Sequence, residues 1–542
     1  MVNIAALTSS RLYFRIIRRP SEISPSHFWR AAHGAVLTSG IKQHRTQHTL
    51  ISKPPSTLDQ PHQRSKKTVK SPVEWPSIDR FPEAVVLSSA RQVSQYRTKQ
   101  SDQLAQLAGF NKNVTTSSGG IQSAQVYAPG EMAPPGIPDM PVEDIDRRLE
   151  LNERFLVPGG SASEGAVVRV DVSELASNDP TEDRHIELAL MGGGTLFGVF
   201  DGHADVHCAN HLTALLPAAV RLALESNNSV GQALSEAFVA VDDHLLSLPF
   251  LAIPGFDTMT PLQIAQLPAS ERTKARKMIL PALAGSCAVM AHVGKKDVHV
   301  AHAGDSRVVL GSLSNHGVWE ATTLTSDHQA CNPKEIDALR RAHPNEIDTV
   351  AFRHCEDGPL RVIGGLMPTR AFGDARYKWT LDVQEKVSAL MHGLPSQRRQ
   401  WPMLRYCISP PYIHAKPDIY RHTLTSRDHF LVIASDGLFE ELTSEQVVDI
   451  VGDFLLHAPP NPTATSGIYE IRHVNIATHL LRQALKSGRY DDTHVSRLLT
   501  LSSSESRNWR DDMVIQIVLF EPAVKYLTEN SKLVPKFHTL DQ

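Results

Sequence analysis

The stretch TLFGVFDGHA, residues 195–204, places three chemically useful residues directly after a short apolar run. The run predicts a β-strand that ends in Asp201, Gly202 and His203. A carboxylate at a strand end sits on a rigid element, and glycine lets the backbone approach another group closely. This arrangement suits a metal-assisted hydrolase. Because Asp-Gly is also a frequent turn signal, the stretch alone does not distinguish a metal site from a turn.

The length and cysteine content of the chain narrow the classes of protein. Its 542 residues accommodate several average domains or one large domain with extensions. No stretch approaches the roughly 18 apolar residues that a membrane helix needs, so we expect no membrane span. The five cysteines are widely spaced and include no CxxC pair. This spacing argues against a disulfide framework and against a zinc site.

Positive charge is concentrated at the start of the chain. The first 70 residues contain twelve Lys or Arg and two acids, whereas the remainder contains 43 basic and 56 acidic residues. The acidic remainder argues against general affinity for nucleic acid or an anionic membrane.

The N-terminal segment has the composition of a mitochondrial transit peptide. RLYFRIIRRP, residues 11–20, would form a cationic amphipathic helix, and its surroundings are rich in Ser and Thr with almost no acids. We therefore predict a transit peptide over residues 1–45 and a location in the mitochondrial matrix. A disordered basic tail, a nuclear localisation patch at 64–67 and a chloroplast address are the alternatives.

Composition also predicts the remaining domain boundaries. Residues 46–140 are rich in Pro, Ser, Gln and Thr, which is typical of a linker, with one helix predicted near 90–107. Regular apolar patterns begin after this segment. We predict one catalytic domain over residues 141–525 and a tail over 526–542.

Short β-like runs recur through the predicted domain. Residues 286–294 and 297–304, separated by two lysines, predict a hairpin, and 307–311 predicts a third strand of the same meander. Two later apolar runs, 429–437 and 513–520, predict further strands.

Helical patterns lie between these runs. We predict helices over 205–227, interrupted at Pro217, and over 230–248; Asn332 and a Thr443 to Gln446 capping box mark two more helix starts. Residues 250–283 predict an irregular insertion, with a substrate or partner surface as the alternative. Because strands and helices are segregated, the pattern favours an α+β fold of two stacked antiparallel sheets flanked by helices.

Five acidic residues stand at strand edges or tight turns beside Gly, Asn or a second acid: Asp183, Asp201, Asp305, Asp436 and Asp511. Carboxylates and water are the ligands that hard cations such as Mg²⁺ and Mn²⁺ prefer. Each acid taken alone is more readily explained as a turn residue. The prediction of a metal site therefore depends on their occurring together.

The order of the surrounding motifs supplies that evidence. Six motifs over residues 178–520 resemble, in order, the signature motifs of the metal-dependent protein phosphatase 2C family. They are TEDRH (181–185), FDGHA (200–204), HAGDSRVVL (302–310), TRAFGD (369–374), ASDGLFEEL (434–442) and RDDMVIQIVLF (510–520).

The resemblance implies a β-sandwich of two antiparallel sheets flanked by helices, with two Mg²⁺ or Mn²⁺ ions at one end. Asp201 looks like the bridging metal ligand, and Gly202 would offer its backbone carbonyl. Asp436 and Asp511 would ligate one metal. Two further acids, Glu182 and Asp183, would act on the other through waters.

A third, weaker metal site is also implied. Asp305 matches its position in the family, and Asp374 would contribute there or to nearby structure. Two metals about 3.5–4 Å apart lower the pKa of a bridging water, neutralise phosphate oxygens and align an in-line attack on phosphorus. His203 would protonate the departing serine or threonine oxygen, with a purely structural histidine as the alternative.

The phosphate-binding residues follow one branch of the family. Many members have an arginine five residues before the Asp183 position, whereas this chain has Asn178, which supplies no charge. NDPTEDR at 178–184 resembles the pyruvate dehydrogenase phosphatases, as do the segments at 368–379 and 409–424. Asn178 and Arg370 are therefore the candidates for phosphate binding, unless Arg370 pairs with an acid.

The function implied is that of a mitochondrial protein serine/threonine phosphatase. The expected substrate is the alpha subunit of pyruvate dehydrogenase, which dephosphorylation would reactivate, and a regulatory subunit is compatible with this role. One alternative is a scaffold that keeps the fold without its metals. The other is an active phosphatase of a different matrix or nuclear phosphoprotein.

Overall fold

The structure is a computed structural model that describes residues 133–156, 166–190, 193–226, 229–355, 358–392, 404, 406–457 and 474–523. The predicted transit peptide, the predicted linker helix and the predicted C-terminal tail lie outside these residues.

Fourteen strands are formed by the described residues. They are β1 Arg154–Leu156, β2 Val167–Leu175, β3 Arg184–Ala189, β4 Thr195–His203, β5 Gly285–Val293, β6 Asp297–Ala303, β7 Arg307–Leu313, β8 Trp319–Thr323, β9 Ala351–Phe352, β10 Arg361–Val362, β11 Phe372–Gly373, β12 Asp418–Thr423, β13 Asp428–Ala434 and β14 Met513–Phe520. One sheet has the order β1-β2-β14-β13-β7-β8, and the other has β12-β6-β5-β4-β3 with β11 paired to β5. A separate ladder joins β9 to β10.

Twelve α-helices lie in the same part of the chain. They are α1 Val142–Leu149, α2 His207–Glu225, α3 Val230–Ala252, α4 Pro261–Ala265, α5 Ala269–Leu283, α6 Pro333–Ala342, α7 Leu381–Met391, α8 Asp436–Phe439, α9 Ser444–His457, α10 Ile476–Leu485, α11 Asp492–Leu499 and α12 Ser503–Ser506. Both predicted helix starts are confirmed. Asn332 caps α6, and Thr443 and Gln446 exchange the two hydrogen bonds of a capping box before α9.

The two sheets stack face to face, with helices on both outer surfaces. Successive side chains of a strand point to opposite faces, so each strand serves two cores. On β4, Val199 faces the other sheet while Phe200 faces the helices; on β13, Ile433 and Val432 divide in the same way. Helices α2, α3, α5 and α7 pack on one sheet, and α9, α10 and α11 pack on the other. The predicted α+β sandwich is confirmed.

The predicted meander is wrong at its third strand. β5 and β6 form the predicted hairpin, but β7 pairs with β13 and β8 in the other sheet. The chain crosses between the sheets after Gly304, whose φ is 126° and where a Cβ would lie 2.3 Å from that of Cys287. The alternation of apolar residues predicts which side chains share a face of a strand. It does not indicate which sheet the strand joins, so the sequence did not predict this crossing.

Two helix predictions also need correction. Pro217 does not interrupt α2, because Leu212, Leu216 and Val220 bury one continuous apolar face in the same core. That packing offsets the hydrogen bond that proline removes. Residues 250–283 are largely helical rather than irregular, since they contain the end of α3 and all of α4 and α5. Tertiary contacts hold α5 in place: Arg276 donates to the carbonyls of Leu390 and His392.

A buried ion pair ties α3 to the segment that follows β11. Lys378 Nζ donates to the two carboxylate oxygens of Asp242 at 2.8 and 2.7 Å and to the Ala371 carbonyl at 2.7 Å. Asp242 also accepts a hydrogen bond from the Gly373 amide at 3.0 Å. Both side chains are buried. The pair therefore fixes the backbone on either side of Asp374.

We expect Asp242→Ala to lower the free energy of unfolding by about 3–5 kcal/mol, because it leaves the Lys378 charge buried without its partner. Denaturant unfolding followed by circular dichroism measures this loss. Glu320→Ala is the matched control: it removes an exposed pair with Arg427 and should cost less than about 1 kcal/mol. Equal losses in the two variants would contradict a structural role for the buried pair.

Candidate metal and phosphate site

Strand direction brings the predicted acids to one end of the sandwich. β4 and β6 are both antiparallel to β5, so their C-terminal ends lie at the same edge, where Asp201 and Asp305 stand. In the other sheet, β13 ends just before Asp436 and its antiparallel neighbour β14 begins just after Asp511. Asp183 directly precedes β3, which is antiparallel to β4. The five acids predicted from sequence therefore share one edge.

Three of these carboxylates lie close enough to hold a single ion. Asp201, Asp305 and Asp436 each offer an oxygen, and these atoms all lie within 4.8 Å of one another. Asp305 is buried and the other two are partly buried. Asp305 is also held in position, since it accepts hydrogen bonds from Gln329 Nε2 at 2.9 Å and from Cys287 Sγ at 3.1 Å.

Gly202 allows two backbone segments to approach closely at this edge. A Cβ on Gly202 would lie 2.4 Å from the carbonyl oxygen of Glu182. No side chain fits in that space without moving the backbone. The glycine thus lets the segment that carries Glu182 and Asp183 lie directly against the end of β4.

The carboxylates destabilise one another's charged forms. Burial raises the pKa of Asp183, Asp201 and Asp436 well above its usual range, and neighbouring carboxylates raise it further. Burial and the charge of Asp512 raise the pKa of Glu182 to about 7, although His203 and Arg507 oppose the shift. Such a group of acids needs positive charge to remain ionised together.

The residues at this edge fit divalent cations. Asp183 Oδ2 is buried and lacks a hydrogen-bond partner in the described part of the chain. An unpaired buried carboxylate oxygen is costly unless a cation or water engages it. The set is made of oxygen donors without cysteine, which is the preference of Mg²⁺ and Mn²⁺.

Asp512 organises the loop that precedes β3, a role that sequence reasoning missed. One of its oxygens accepts from the amides of Ser177 at 2.5 Å and Asn178 at 2.8 Å, and the other accepts from the Glu182 amide at 2.8 Å. Asp512 is only 2% exposed, so it is not the solvated neighbour of Asp511 that a pair of aspartates suggests. The two adjacent aspartates, Asp511 and Asp512, are the sequence feature that could have indicated this role.

His203 lies beside Asp374 at the end of β4. Its Nε2 is 2.6 Å from Asp374 Oδ2. Burial lowers the pKa of His203, but Asp374 and other nearby acids outweigh that effect and leave the pKa above its usual value. Asp374 adopts a left-handed backbone conformation with φ 48°, and a Cβ on Gly285 would lie 2.0 Å from His203 Nε2. The left-handed backbone of Asp374 and the absence of a side chain at Gly285 thus make room for the contact between His203 and Asp374.

The two candidate phosphate-binding side chains are both engaged within the protein. Asn178 Nδ2 donates to Asp512 Oδ2 at 3.0 Å. Arg370 donates to both oxygens of Glu335, at 3.0 and 2.7 Å, and to Asp418 at 2.7 Å. These contacts match the ion-pair alternative for Arg370, and both phosphate-binding assignments stay predictions.

Comparison with known proteins identifies the family. The protein phosphatase 2C family model matches residues 176–493. The chain belongs to the protein phosphatase 2C family. It is accordingly a protein serine/threonine phosphatase of a metal-dependent family, and the predicted fold and family are confirmed.

Curated relatives place the chain near one branch. A protein phosphatase 2C homologue of Schizosaccharomyces pombe is 32% identical, covering 71% of this chain and 86% of the relative. Human mitochondrial pyruvate dehydrogenase (acetyl-transferring) phosphatase 2 is 30% identical, covering 66% and 78%. The Saccharomyces cerevisiae mitochondrial pyruvate dehydrogenase (acetyl-transferring) phosphatase 1 is 28% identical, covering 65% and 69%. The predicted resemblance to this branch is confirmed.

None of the helices in the described part of the chain combines the length and apolarity that a membrane span requires.

We expect Asp512→Asn to lower the free energy of unfolding by about 1–3 kcal/mol, because an amide NH₂ replaces an oxygen that accepts from Glu182 or Asn178. The same variant should bind Mn²⁺ more weakly in calorimetric titrations, since the loop carrying Glu182 and Asp183 loosens.

Asp491→Asn is the matched control. Asp491 accepts two amide hydrogen bonds as the N-cap of α11, and asparagine caps helices equally well. If Asp512→Asn lost no more stability and no more Mn²⁺ affinity than Asp491→Asn, the organising role of Asp512 would be wrong.

Proposed function

We propose that this phosphatase hydrolyses phosphoserine and phosphothreonine with two divalent cations, and that it acts on mitochondrial pyruvate dehydrogenase. The observation that carries the proposal is the convergence of Asp201, Asp305 and Asp436 within 4.8 Å. Carboxylates so close together repel one another, and divalent cations between them would offset that repulsion.

The proposed ligands divide between two ions. Asp201 would bridge them, with Asp436 and Asp511 on one ion and the Gly202 carbonyl beside it. Glu182 and Asp183 would act on the other through waters, and Asp305 would belong to a third, weaker site. When bound, a pair of Mg²⁺ or Mn²⁺ ions lowers the pKa of a coordinated water and offsets the charge of the phosphate.

The proposed proton donor is His203. Its contact with Asp374 engages Nε2, so Nδ1 is the nitrogen that would donate a proton to the departing serine or threonine oxygen. Asp374 fixes the ring orientation and favours the protonated imidazole through its negative charge. A leaving alkoxide is a strong base, so protonation at this atom lowers the barrier to P–O cleavage.

The proposed substrate and location rest on two separate observations. Named relatives are mitochondrial pyruvate dehydrogenase phosphatases, and they share about 30% of aligned residues with this chain. The first 70 residues have the basic, acid-poor composition of a mitochondrial transit peptide. Together they support a matrix enzyme that reactivates pyruvate dehydrogenase by dephosphorylating its alpha subunit.

We expect Asp201→Asn to lower Mn²⁺-dependent phosphate release by more than the roughly 10–100-fold that loss of an outer contact typically costs. The assay uses the purified protein with phosphorylated pyruvate dehydrogenase and with a phosphoserine peptide. Asp297→Asn is the control and should retain activity, since it alters an exposed pair between the first residue of β6 and Arg421 on β12.

The two substrates separate the parts of the proposal. Release from the peptide but not from pyruvate dehydrogenase would reject the substrate assignment alone. Failure of the unaltered protein to release phosphate from either would reject the catalytic proposal as well.

We expect His203→Gln to lower kcat for phosphoserine peptides by about 10²–10⁴-fold, because the leaving alkoxide then departs without a proton donor. The loss should be much smaller for p-nitrophenyl phosphate, whose leaving group is a weak base. Steady-state kinetics on both substrates, with His207→Gln as the control on the exposed start of α2, measures the difference. Equal losses on the two substrates would exclude a proton-donating role.

A further inference from the structure

A phosphate dianion that enters this site meets many negative charges. Besides the proposed ligands, the carboxylates of Glu440 and Asp512 lie in electrostatic contact with the cluster. A positively charged side chain that contacts phosphate directly would offset this repulsion. Both predicted phosphate binders already serve carboxylates of the protein, since Asn178 donates to Asp512 and Arg370 is paired with Glu335 and Asp418.

Four other arginines act electrostatically on the clustered acids, namely Arg184, Arg307, Arg507 and Arg510. The four guanidinium groups have different hydrogen-bond partners in the surrounding protein. Their hydrogen bonds and exposure decide which can reach a ligand.

In three of the four guanidinium groups, at least two of the three nitrogens are hydrogen-bonded to the protein or buried. Arg184 donates hydrogen bonds from Nε to Asn210 Oδ1 and from Nη1 to two backbone carbonyls. Arg307 makes a bidentate pair with Asp327, at 2.6–3.1 Å. Arg510 donates through Nη2 to the Ala176 carbonyl, and its other two nitrogens are buried away from solvent.

Arg507 differs from these three. It follows the short helix α12 and lies four residues before Asp511, whose Oδ2 its Nη1 contacts. Its side chain is 52% exposed, and its Nε and Nη2 have no partner among the residues that the structure describes. Asp511 and Asp436 flank neighbouring strands at the same end of the sandwich, so the contact with Asp511 places the guanidinium beside the metal cluster.

We propose that Arg507 binds the phosphate group of the substrate. Asp511 Oδ2 contacts Nη1, which leaves the donors on Nε and Nη2 for phosphate oxygens. Arginine suits this task because its planar fork can donate two parallel hydrogen bonds to a phosphate. The inference rests on the proposed function, and it supplies the cation that Asn178 does not.

The alternative role of Arg507 is purely positional. It would hold Asp511 for metal binding without touching phosphate. The two roles predict different defects, because a positional residue changes affinity for the metal whereas a phosphate-binding residue changes affinity for phosphate at saturating metal.

The test compares the unaltered protein with Arg507→Ala, Arg507→Lys and Arg147→Ala. Arg147 is the matched control, since it is an exposed arginine whose Nη1 meets Asp144 one turn away on α1. Isothermal titration calorimetry measures Mn²⁺ binding, and then inorganic phosphate binding at saturating Mn²⁺. Steady-state kinetics on a phosphoserine peptide separate KM from kcat.

We expect Arg507→Ala to raise the Kd for inorganic phosphate and the KM for the peptide by about 10-fold or more, as loss of a charge-assisted hydrogen bond does. Arg507→Lys should fall between Ala and the unaltered protein, because lysine keeps the charge but loses the fork. Arg147→Ala should change neither constant. Arg507→Lys also keeps the test informative if the alanine variant folds poorly.

Two results overturn the inference. One is weaker Mn²⁺ binding by Arg507→Ala with an unchanged Kd for phosphate at saturating Mn²⁺, which would assign Arg507 the positional role. The other is that the Arg507 variants keep the Kd for phosphate and the KM for the peptide of the unaltered, active protein. If instead the unaltered protein releases no phosphate from the peptide, the proposed function itself fails.

Discussion

Repulsion among carboxylates at one end of the sandwich is the constraint on which the rest of this site depends. Burial raises the pKa of Asp183, Asp201 and Asp436, and the charges of neighbouring carboxylates raise it further. An arrangement of this kind costs stability in the protein alone and becomes favourable when cations bind. The fold tolerates it because two well-packed sheets, each covered by helices, supply the stability that the site does not.

The geometry of the site comes from strand ends more than from loops. Asp201 lies at the end of β4, and Asp436 and Asp511 flank β13 and β14, which are hydrogen-bonded neighbours. Ligands carried by strands from both sheets are positioned by the packing between those sheets. A change in the inter-sheet core would therefore alter the distances between ligands even though it touches none of them.

Sequence patterns predicted those parts of the structure that depend on local chemistry. The apolar run before Asp201, the hairpin of β5 and β6 and the caps of α6 and α9 all have local signals, and all are present. The sheet that β7 joins, the continuity of α2 through Pro217 and the helices between 250 and 283 depend on distant packing partners. The same reason explains why the role of Asp512 was not predicted: its partner Asn178 lies more than 330 residues away in the chain.

Anomalous diffraction from crystals of the protein grown with Mn²⁺ is the decisive measurement for the metal site, because it locates the ions without relying on activity. We expect two manganese peaks at the sandwich end, both within coordination distance of Asp201, with Asp436 and Asp511 on one of them. Mn²⁺ bound elsewhere in the protein, with Asp201 and Asp436 free of metal at saturating concentration, would rule out the proposed site.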